Sequence, residues 1–259
     1  MDKKRCTAVV LAAGSGKRMR SGMAKQFMTL GGRPLLWYSL QAVERSAIIH
    51  DCVLVTGEKD IPYVRAEILE RYGFRKAAAV IAGGGERYES VYNALRAIAE
   101  GCLPEPNRDG YVFIHDGARP FLSENILESA YRNVVRYGAC VAAVPVKDTV
   151  KIADKAGFVV QTPDRSRLWA VQTPQVFETA LITEAYRKLF LRLEMGEAVS
   201  VTDDAMVLET MSGIPVKLVE ASYKNIKITT PEDLRMAESL LQEENSPTHF
   251  ARCDAAFLD

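Results

Sequence analysis

The chain has 259 residues, 48% of them hydrophobic and 25% charged, which is the composition of an ordinary globular protein. Lysine plus arginine balances aspartate plus glutamate at 33 each, so the total charge points to neither a nucleic-acid nor a membrane-surface partner. No segment approaches the ~20 apolar residues of a membrane span, and Cys6, Cys52, Cys102, Cys140 and Cys253 are odd in number and lack CxxC spacing, which excludes a disulfide framework or zinc site and fits a reducing compartment.

The charge is unevenly distributed. From Lys3 to Val43 there are eight basic residues and no acid, a local excess suited to a polyanionic small ligand. Lys3-Lys4-Arg5 leads only into a short apolar run, so no signal peptide is expected, and the chain reads as cytoplasmic.

Nearly continuous apolar runs at Thr7–Ala12, Cys52–Val55, Ala79–Ile81, Tyr111–Ile114 and Cys140–Val144 suit strands covered on both faces. Amphipathic stretches at about 34–46, 60–72, 87–100 and 123–137 separate them. Strand and helix alternating in this way predict an α/β fold with a doubly wound, mostly parallel sheet. Residues 146–168 break the pattern: they are polar, with short alternation at Thr149–Ile152 and Gly157–Val160, and predict a projecting β-hairpin arm. Its thin apolar face must pack on something, which points to a second subunit. Beyond it come a return through Trp169–Gln172, a helix at 178–193, strands near 215–220 and 225–229, and a last helix from Pro231, with Thr230 as cap. No linker divides the chain, so residues 1–244 are expected to form one domain that includes the arm. Residues 245–259 carry no pattern and are expected to be a disordered tail.

The first strand enters Leu11-Ala12-Ala13-Gly14-Ser15-Gly16-Lys17-Arg18-Met19. In an open α/β sheet the first βα turn is a usual ligand site, and glycines let backbone N–H groups close on phosphate oxygens. A Walker A loop would need glycine at Leu11 and serine or threonine at Arg18, and a dinucleotide fingerprint would need glycine at Met19. Spacing alone leaves a phosphate nest, neutralised by Lys17, Arg18 and Lys25, or a glycine turn with solvated lysines. Gly83–Val91 is a second strand-to-helix turn, in which Gly84, Gly85 and the Ser90 hydroxyl are candidates to meet a base, or simply start a helix. Asp116, at the tip of an apolar strand, suits a magnesium ion that takes one or two protein carboxylates, or an Asx turn. His115 reads as a core or supporting residue.

Taken together, Leu11-Ala12-Ala13-Gly14-x-Gly16-x-Arg18-Met19 with Lys25-Gln26 resembles the signature of nucleotidyltransferases that make activated sugars. It is similar in particular to the 2-C-methyl-D-erythritol 4-phosphate cytidylyltransferase family of non-mevalonate isoprenoid synthesis. Seven ordered blocks over about residues 5–242 carry the likeness; Ala24, where the family often has proline, departs from it. The resemblance implies a Rossmann-like nucleotidyltransferase fold and CMP transfer from CTP to the acceptor phosphate, with pyrophosphate released and a divalent cation, Mg²⁺, as cofactor. It implies that Ala12, Ala13, Gly14, Gly16, Lys17, Gly84, Gly85 and Ser90 bind the nucleotide. Arg18, Lys25, Lys227 and Arg165 would act in catalysis. Asp116 would hold the metal or substrate, and Arg119, Thr149, Thr173, Thr202 and Thr229, with Arg165, would lie at the acceptor. Thr149 and Arg165 would come from the arm of a neighbouring subunit in a homodimer with shared sites. Charges on an arm are otherwise ordinary solvated residues.

Three rival readings differ in chemistry. Pentitol-phosphate cytidylyltransferases, acting on ribitol 5-phosphate, share the fold and blocks, but tend to carry a second glycine where this chain has Ala13. A non-catalytic nucleotide-binding protein would have no need of all these cations and Asp116. A Rossmann dehydrogenase is disfavoured by Met19 and by the absence of an acid at the ribose-binding distance, Glu44 being the first acid after the loop.

Overall fold

A computed structural model describes residues 4–14 and 24–244. Gly16, Lys17, Arg18 and the tail beyond residue 244 therefore lie outside the described residues.

Seven strands form the main sheet: β1 (Cys6–Ala12), β4 (Asp51–Thr56), β5 (Ala77–Ala82), β6 (Tyr111–Asp116), β7 (Ala139–Pro145), β10 (Trp169–Glu178) and β11 (Lys217–Glu220). Their order is β11-β7-β10-β6-β1-β4-β5. All neighbours are parallel except β10, which runs antiparallel between β6 and β7. A two-stranded ribbon, β2 (Thr29–Leu30) with β3 (Arg33–Pro34), precedes α1 (Leu35–Arg45).

Period-two alternation puts side chains of each central strand into opposite layers. Ala8 and Val10 of β1, Leu54 of β4 and Phe113 of β6 pack in one core, while Val9, Val53 and Ile114 pack in the other. The first core is covered by α1, by α2 (Ile61–Tyr63) continuing as a π-type turn over Val64–Glu70, and by α4 (Glu124–Tyr137). The second lies under α3 (Arg87–Ala99), α5 (Thr179–Glu194) and α6 (Asp204–Ser212). Strands covered twice must be apolar on both faces, which is why they read as unbroken hydrophobic runs.

The chain leaves β1 for β4 and β5 on one side, then crosses back to β6 on the other. Next to the carboxyl ends of β1 and β6 the connections diverge, and open sheets present a crevice at such a point. A third, smaller core of Leu30, Leu35, Ala118, Phe121, Ile228 and Ala237 fastens α7 (Pro231–Glu244) beside it.

Several expectations change. Residues 225–229 are not a strand: they join no sheet, and Ile228 N–H donates to the Ala118 carbonyl, 2.8 Å, in the loop after β6. The stretch at 60–72 is not one regular α-helix, because it widens into the π-type turn. Helix α6 was not expected at all. It is capped by Asp203, whose side chain accepts from Met206 N–H at 2.9 Å, and is ended by Gly213 at φ 65°. The arm contains a short hairpin, β8 (Ile152–Ala153) with β9 (Val159–Gln161). Its apolar side chains face outward, with Phe158 72% and Val160 65% exposed.

Candidate active site

A cleft of about 420 Å³ opens beyond the carboxyl ends of β1, β5 and β6. Ala12, Ala13 and Gly14 form one wall, and Gly84, Gly85 and Ser90 the opposite one. Lys25, Asp116 and Lys227 close the inner end, so residues far apart in the chain meet at one crevice.

The second wall is built from tight packing. A Cβ on Gly83 would lie 2.5 Å from the Ala13 Cβ and 2.7 Å from Ser90 Oγ, so glycine is what lets the two turns approach. Helix α3 begins with a capping box in which Glu86 is the cap and Glu89 reaches back to it. Ser90 Oγ accepts from Gly84 N–H at 3.1 Å and donates to the Glu86 carbonyl at 3.3 Å. The Ser90 hydroxyl, expected to be available to a base, thus stiffens the turn.

At the inner end Lys227 Nζ lies 2.6 Å from Asp116 Oδ2, and Arg87 Nε donates to Asp116 Oδ1 at 3.3 Å. Burial alone would push the Asp116 carboxyl up; Arg87, Lys227 and Arg119 outweigh it and hold the group well below the usual carboxylate range. Asp116 is therefore a fixed negative charge. Arg87 in turn is gripped by Asp204 through two bonds of 2.8 and 2.7 Å, and Tyr186 donates its hydroxyl to Asp204 at 2.6 Å. Burial works against the Arg87 charge, but Asp204 and Asp116 more than compensate, so the guanidinium is held more firmly charged than usual.

Behind Asp116 runs a chain of hydrogen bonds. Asp116 N–H donates to Thr173 Oγ1 (3.1 Å), the Thr173 hydroxyl donates to His115 Nδ1 (3.0 Å), and His115 Nε2–H donates to the Arg119 carbonyl (3.2 Å). Burial pushes the His115 imidazole down to about 4, which keeps the ring neutral and leaves one nitrogen to accept and the other to donate. His115 is thus a supporting residue, as the sequence indicates. Arg119 NH1 donates to the Asn225 carbonyl at 2.7 Å, while burial pulls its guanidinium below the ordinary value. Lys25 Nζ donates to the Ile228 carbonyl at 3.3 Å, tying the segment after the phosphate loop to the segment that carries Lys227.

Other expected site residues stand apart from the cleft. Thr149 and Arg165 are exposed on the arm, where Arg165 NH1 donates to the Lys147 carbonyl at 2.9 Å. Thr202 lines a separate depression of about 190 Å³ on the other side of Arg87. Thr229 Oγ1 donates to Asp233 Oδ2 at 2.8 Å and so helps to begin α7. Arg87, Asp204, Tyr186 and Asn225 received no role from sequence reasoning, although Arg87 lies inside the Gly83–Val91 block and Asp204 beside Asp203.

The comparisons agree with this architecture. The family model described as 2-C-methyl-D-erythritol 4-phosphate cytidylyltransferase (IspD) matches residues 6–243. The chain is 48% identical over 236 residues to the 2-C-methyl-D-erythritol 4-phosphate cytidylyltransferase of Lachnospira eligens, spanning 91% of this chain and 99% of that one. The protein of that name from Lachnoclostridium phytofermentans is 44% identical, with 93% and 97% covered. Among solved structures, the 4-diphosphocytidyl-2C-methyl-D-erythritol synthase of Anaerococcus prevotii superposes with a TM-score of 0.77 at 34% identity, covering 93% of this chain and 97% of that one. With a family model spanning nearly all of the described residues, and relatives this similar over nearly their whole length, the chain belongs to the 2-C-methyl-D-erythritol 4-phosphate cytidylyltransferase family.

Proposed function

We propose that the protein transfers CMP from CTP to 2-C-methyl-D-erythritol 4-phosphate and releases pyrophosphate, a step of isoprenoid precursor synthesis. The observation that carries the reading is the convergence of Ala12–Gly14, Lys25, Asp116 and Lys227 on one crevice at the switch point of the sheet.

The reaction is an in-line displacement. An oxygen of the acceptor phosphate forms a bond to the α-phosphorus of CTP as the bond to the bridging α–β oxygen breaks, and the electron pair leaves on pyrophosphate. The attacking oxygen is already anionic, so no general base is needed. The barrier lies in bringing two polyanions together, and fixed cations lower it. Lys25 and Arg18 are assigned to the triphosphate and Lys227 to the phosphates of both substrates. Gly16, Lys17 and the backbone of Ala12, Ala13 and Gly14 are likewise assigned to the phosphates; Gly84, Gly85 and Ser90 are assigned to the nucleoside. The acceptor is assigned to Arg119 and Thr173 beside Asp116, and to Thr202 and Thr229, which lie outside the lining of the cleft.

Among the described residues there is no cluster of three or more metal-ligating side chains. A single ionised carboxylate still fits Mg²⁺, which commonly takes one or two protein oxygens and fills its shell with phosphates and water. Asp116 is the residue that would hold it, and the bound ion would supply further neutralisation of the phosphate oxygens.

The reading takes residues 1–244 as one domain working as a homodimer, in which the arm crosses to the partner and brings Thr149 and Arg165 to its acceptor site. The exposed Phe158, Val159 and Val160, and the position of both residues outside the lining of their own cleft, support it. A cytoplasmic setting is supported by the free thiols of Cys6, Cys52, Cys102 and Cys140. No helix among the described residues is long and apolar enough to cross a membrane.

The test is pyrophosphate release from CTP and Mg²⁺ with methylerythritol phosphate beside ribitol 5-phosphate. Release with the first and little with the second is expected. Equal or greater release with ribitol 5-phosphate would transfer the assignment to the pentitol branch, and none with either would leave a nucleotide-binding protein.

A further inference from the structure

We propose that Asn225 is a positioning residue for the transfer reaction, acting through Lys227; this rests on the assignment of Lys227 to the substrate phosphates.

The argument starts from what the segment lacks. Lys227 sits in residues 222–230, which join no strand, so no ladder fixes the height of its backbone above the cleft. Something else must do so. Ile226 and Ile228 anchor the segment in the third core, and Ile228 N–H reaches the Ala118 carbonyl. These contacts hold the residues on either side of Lys227 against the third core. Just before them, Asn225 is 0% exposed and bonds through its side chain to β10.

Its amide donates twice, to Gln172 Oε1 and to the Thr173 carbonyl, both at 2.9 Å. Gln172 closes the ring by donating its own amide to the Ser222 carbonyl at 3.0 Å, and Asn225 N–H donates to that same Ser222 carbonyl at 3.0 Å. The partners lie where the register of β10 shifts, between Val171 and Gln175. One residue later in that shift, Thr173 receives Asp116 N–H. The two ends of the Lys227–Asp116 ion pair are therefore referenced to the same point, Thr173. One end reaches it through the Asn225 side chain, the other through the Asp116 backbone.

This chemistry is particular to asparagine. Both donors are used on carbonyl-type oxygens, and Oδ1 has no hydrogen-bond partner among the described residues. Aspartate has the same shape but no N–H to give. Gln172 could turn its amide to meet a carboxylate; the Thr173 carbonyl could not, and two oxygens would face each other across 2.9 Å. The backbone bond from Arg119 to the Asn225 carbonyl is untouched by the change. Asn225→Asp thus removes the tether to Thr173; a Gln172 turned to meet the carboxyl also gives up its bond to the Ser222 carbonyl, and the new carboxyl is buried.

The test is a double-mutant cycle on the full chain, with CTP, methylerythritol phosphate and Mg²⁺. A tether that slips by about 1 Å costs up to ~100-fold in rate, so Asn225→Asp is expected to lower kcat by ~10- to 100-fold while the KM for CTP stays unchanged. Because the effect runs through Lys227, Asn225→Asp added to Lys227→Ala is expected to slow the enzyme no further. Near-normal kcat in Asn225→Asp, or losses that multiply in the double variant, would overturn the proposal. Should Asn225→Asp not fold, Asn225→Ser, which keeps one donor, is judged by the same cycle. Normal turnover in Lys227→Ala would defeat the role of Lys227 and this proposal together. A slow Lys227→Ala beside a normal Asn225 variant would defeat this proposal alone.

Discussion

Replacing Asp204 by asparagine is expected to destabilise the protein by about 3 kcal/mol, at the lower end of what breaking a buried ion pair costs. The magnitude follows from the contacts. Asp204 is fully buried and offers one oxygen to each of two Arg87 nitrogens. Asparagine keeps the shape and an oxygen for the Tyr186 hydroxyl, but presents an N–H to the guanidinium fork where an oxygen stood. The loss is tempered because the Arg87 side chain is 29% exposed and keeps Asp116 at 3.3 Å. In a chain of this size a loss of about 3 kcal/mol lowers the melting temperature by roughly 6–12 °C. Urea unfolding followed by far-UV circular dichroism measures it directly, as a shifted midpoint at constant slope. The companion variant Arg87→Met/Asp204→Leu should recover most of the loss, since apolar replacement of a buried pair is often neutral or stabilising. If Asp204→Asn cost under about 1 kcal/mol, the pair would behave as a solvated surface contact and the reasoning would be wrong.

Other expectations are as specific. Lys25→Ala and Lys227→Ala should each lower kcat by roughly 10²- to 10³-fold, the loss seen when one transition-state electrostatic contact is removed. Their melting temperatures should stay close to that of the unmodified chain, and a near-normal kcat in either would refute its role. Phe158→Asp should convert a dimer into monomers in light scattering; an unmodified chain that is already monomeric would refute the arm's role. Burial pushes the Cys52 thiol up to about 12, with Asp51 adding to it, and burial pushes Cys140 equally far. Both should therefore resist alkylation of the native protein at pH 8, and labelling detected there by mass spectrometry would contradict their burial. Asp233 accepts from Thr229 N–H at 2.7 Å and Thr230 N–H at 2.8 Å. Burial would raise its carboxyl, but the bonds from Thr229 and Thr230 win and hold it below the ordinary range. Its contribution is therefore present above the unfolded value of ~3.9 and lost as pH falls through the folded one. Asp233→Ala should cost about 1 kcal/mol at pH 7 and nothing at strongly acid pH, and an equal cost at both would disprove the ionic origin.

The parallel strands were legible because burial on both faces demands unbroken apolar runs, a signal contained within six or seven residues. The segment at 225–229 shows the limit of that signal. Asn225-Ile226-Lys227-Ile228-Thr229 alternates as a strand should, and the two faces are separated as it predicts, with Ile228 buried and Lys227 lining the cleft. Alternation reports the conformation and the buried face; whether a neighbouring strand exists to make a ladder is a property of the rest of the chain. Helix α6 was missed for a different reason. Its first turn carries a charged residue, Asp204, on its buried face, which erases the amphipathic pattern. The legible signal was the pair of ends, Asp203 as cap and Gly213 beyond the last turn. The Arg87 network could not be read locally at all, since its acids lie 29 and 117 residues away.

That network also explains how a cleft with acids in it suits polyanions. Asp204 is fully buried, bonded to Arg87 and Tyr186. At the inner end Asp116 faces Lys227, the remaining Arg87 nitrogen, the Arg119 charge behind it and the nearby Lys25, while the Glu86 side chain is engaged in the cap of α3. Positive charge exceeds negative at the inner end even with Asp116 fully ionised. An arriving phosphate can draw Lys227 toward itself without leaving Asp116 unpaired, because Arg87 stays within reach, held there by Asp204. Without Asp204, Arg87 would be the cation free to follow the phosphate. On the assignment of Lys227 to the substrate phosphates, the buried acid would hold Arg87 in place and leave the lysine, with its compact ammonium on a flexible stem, as the cation that could follow them.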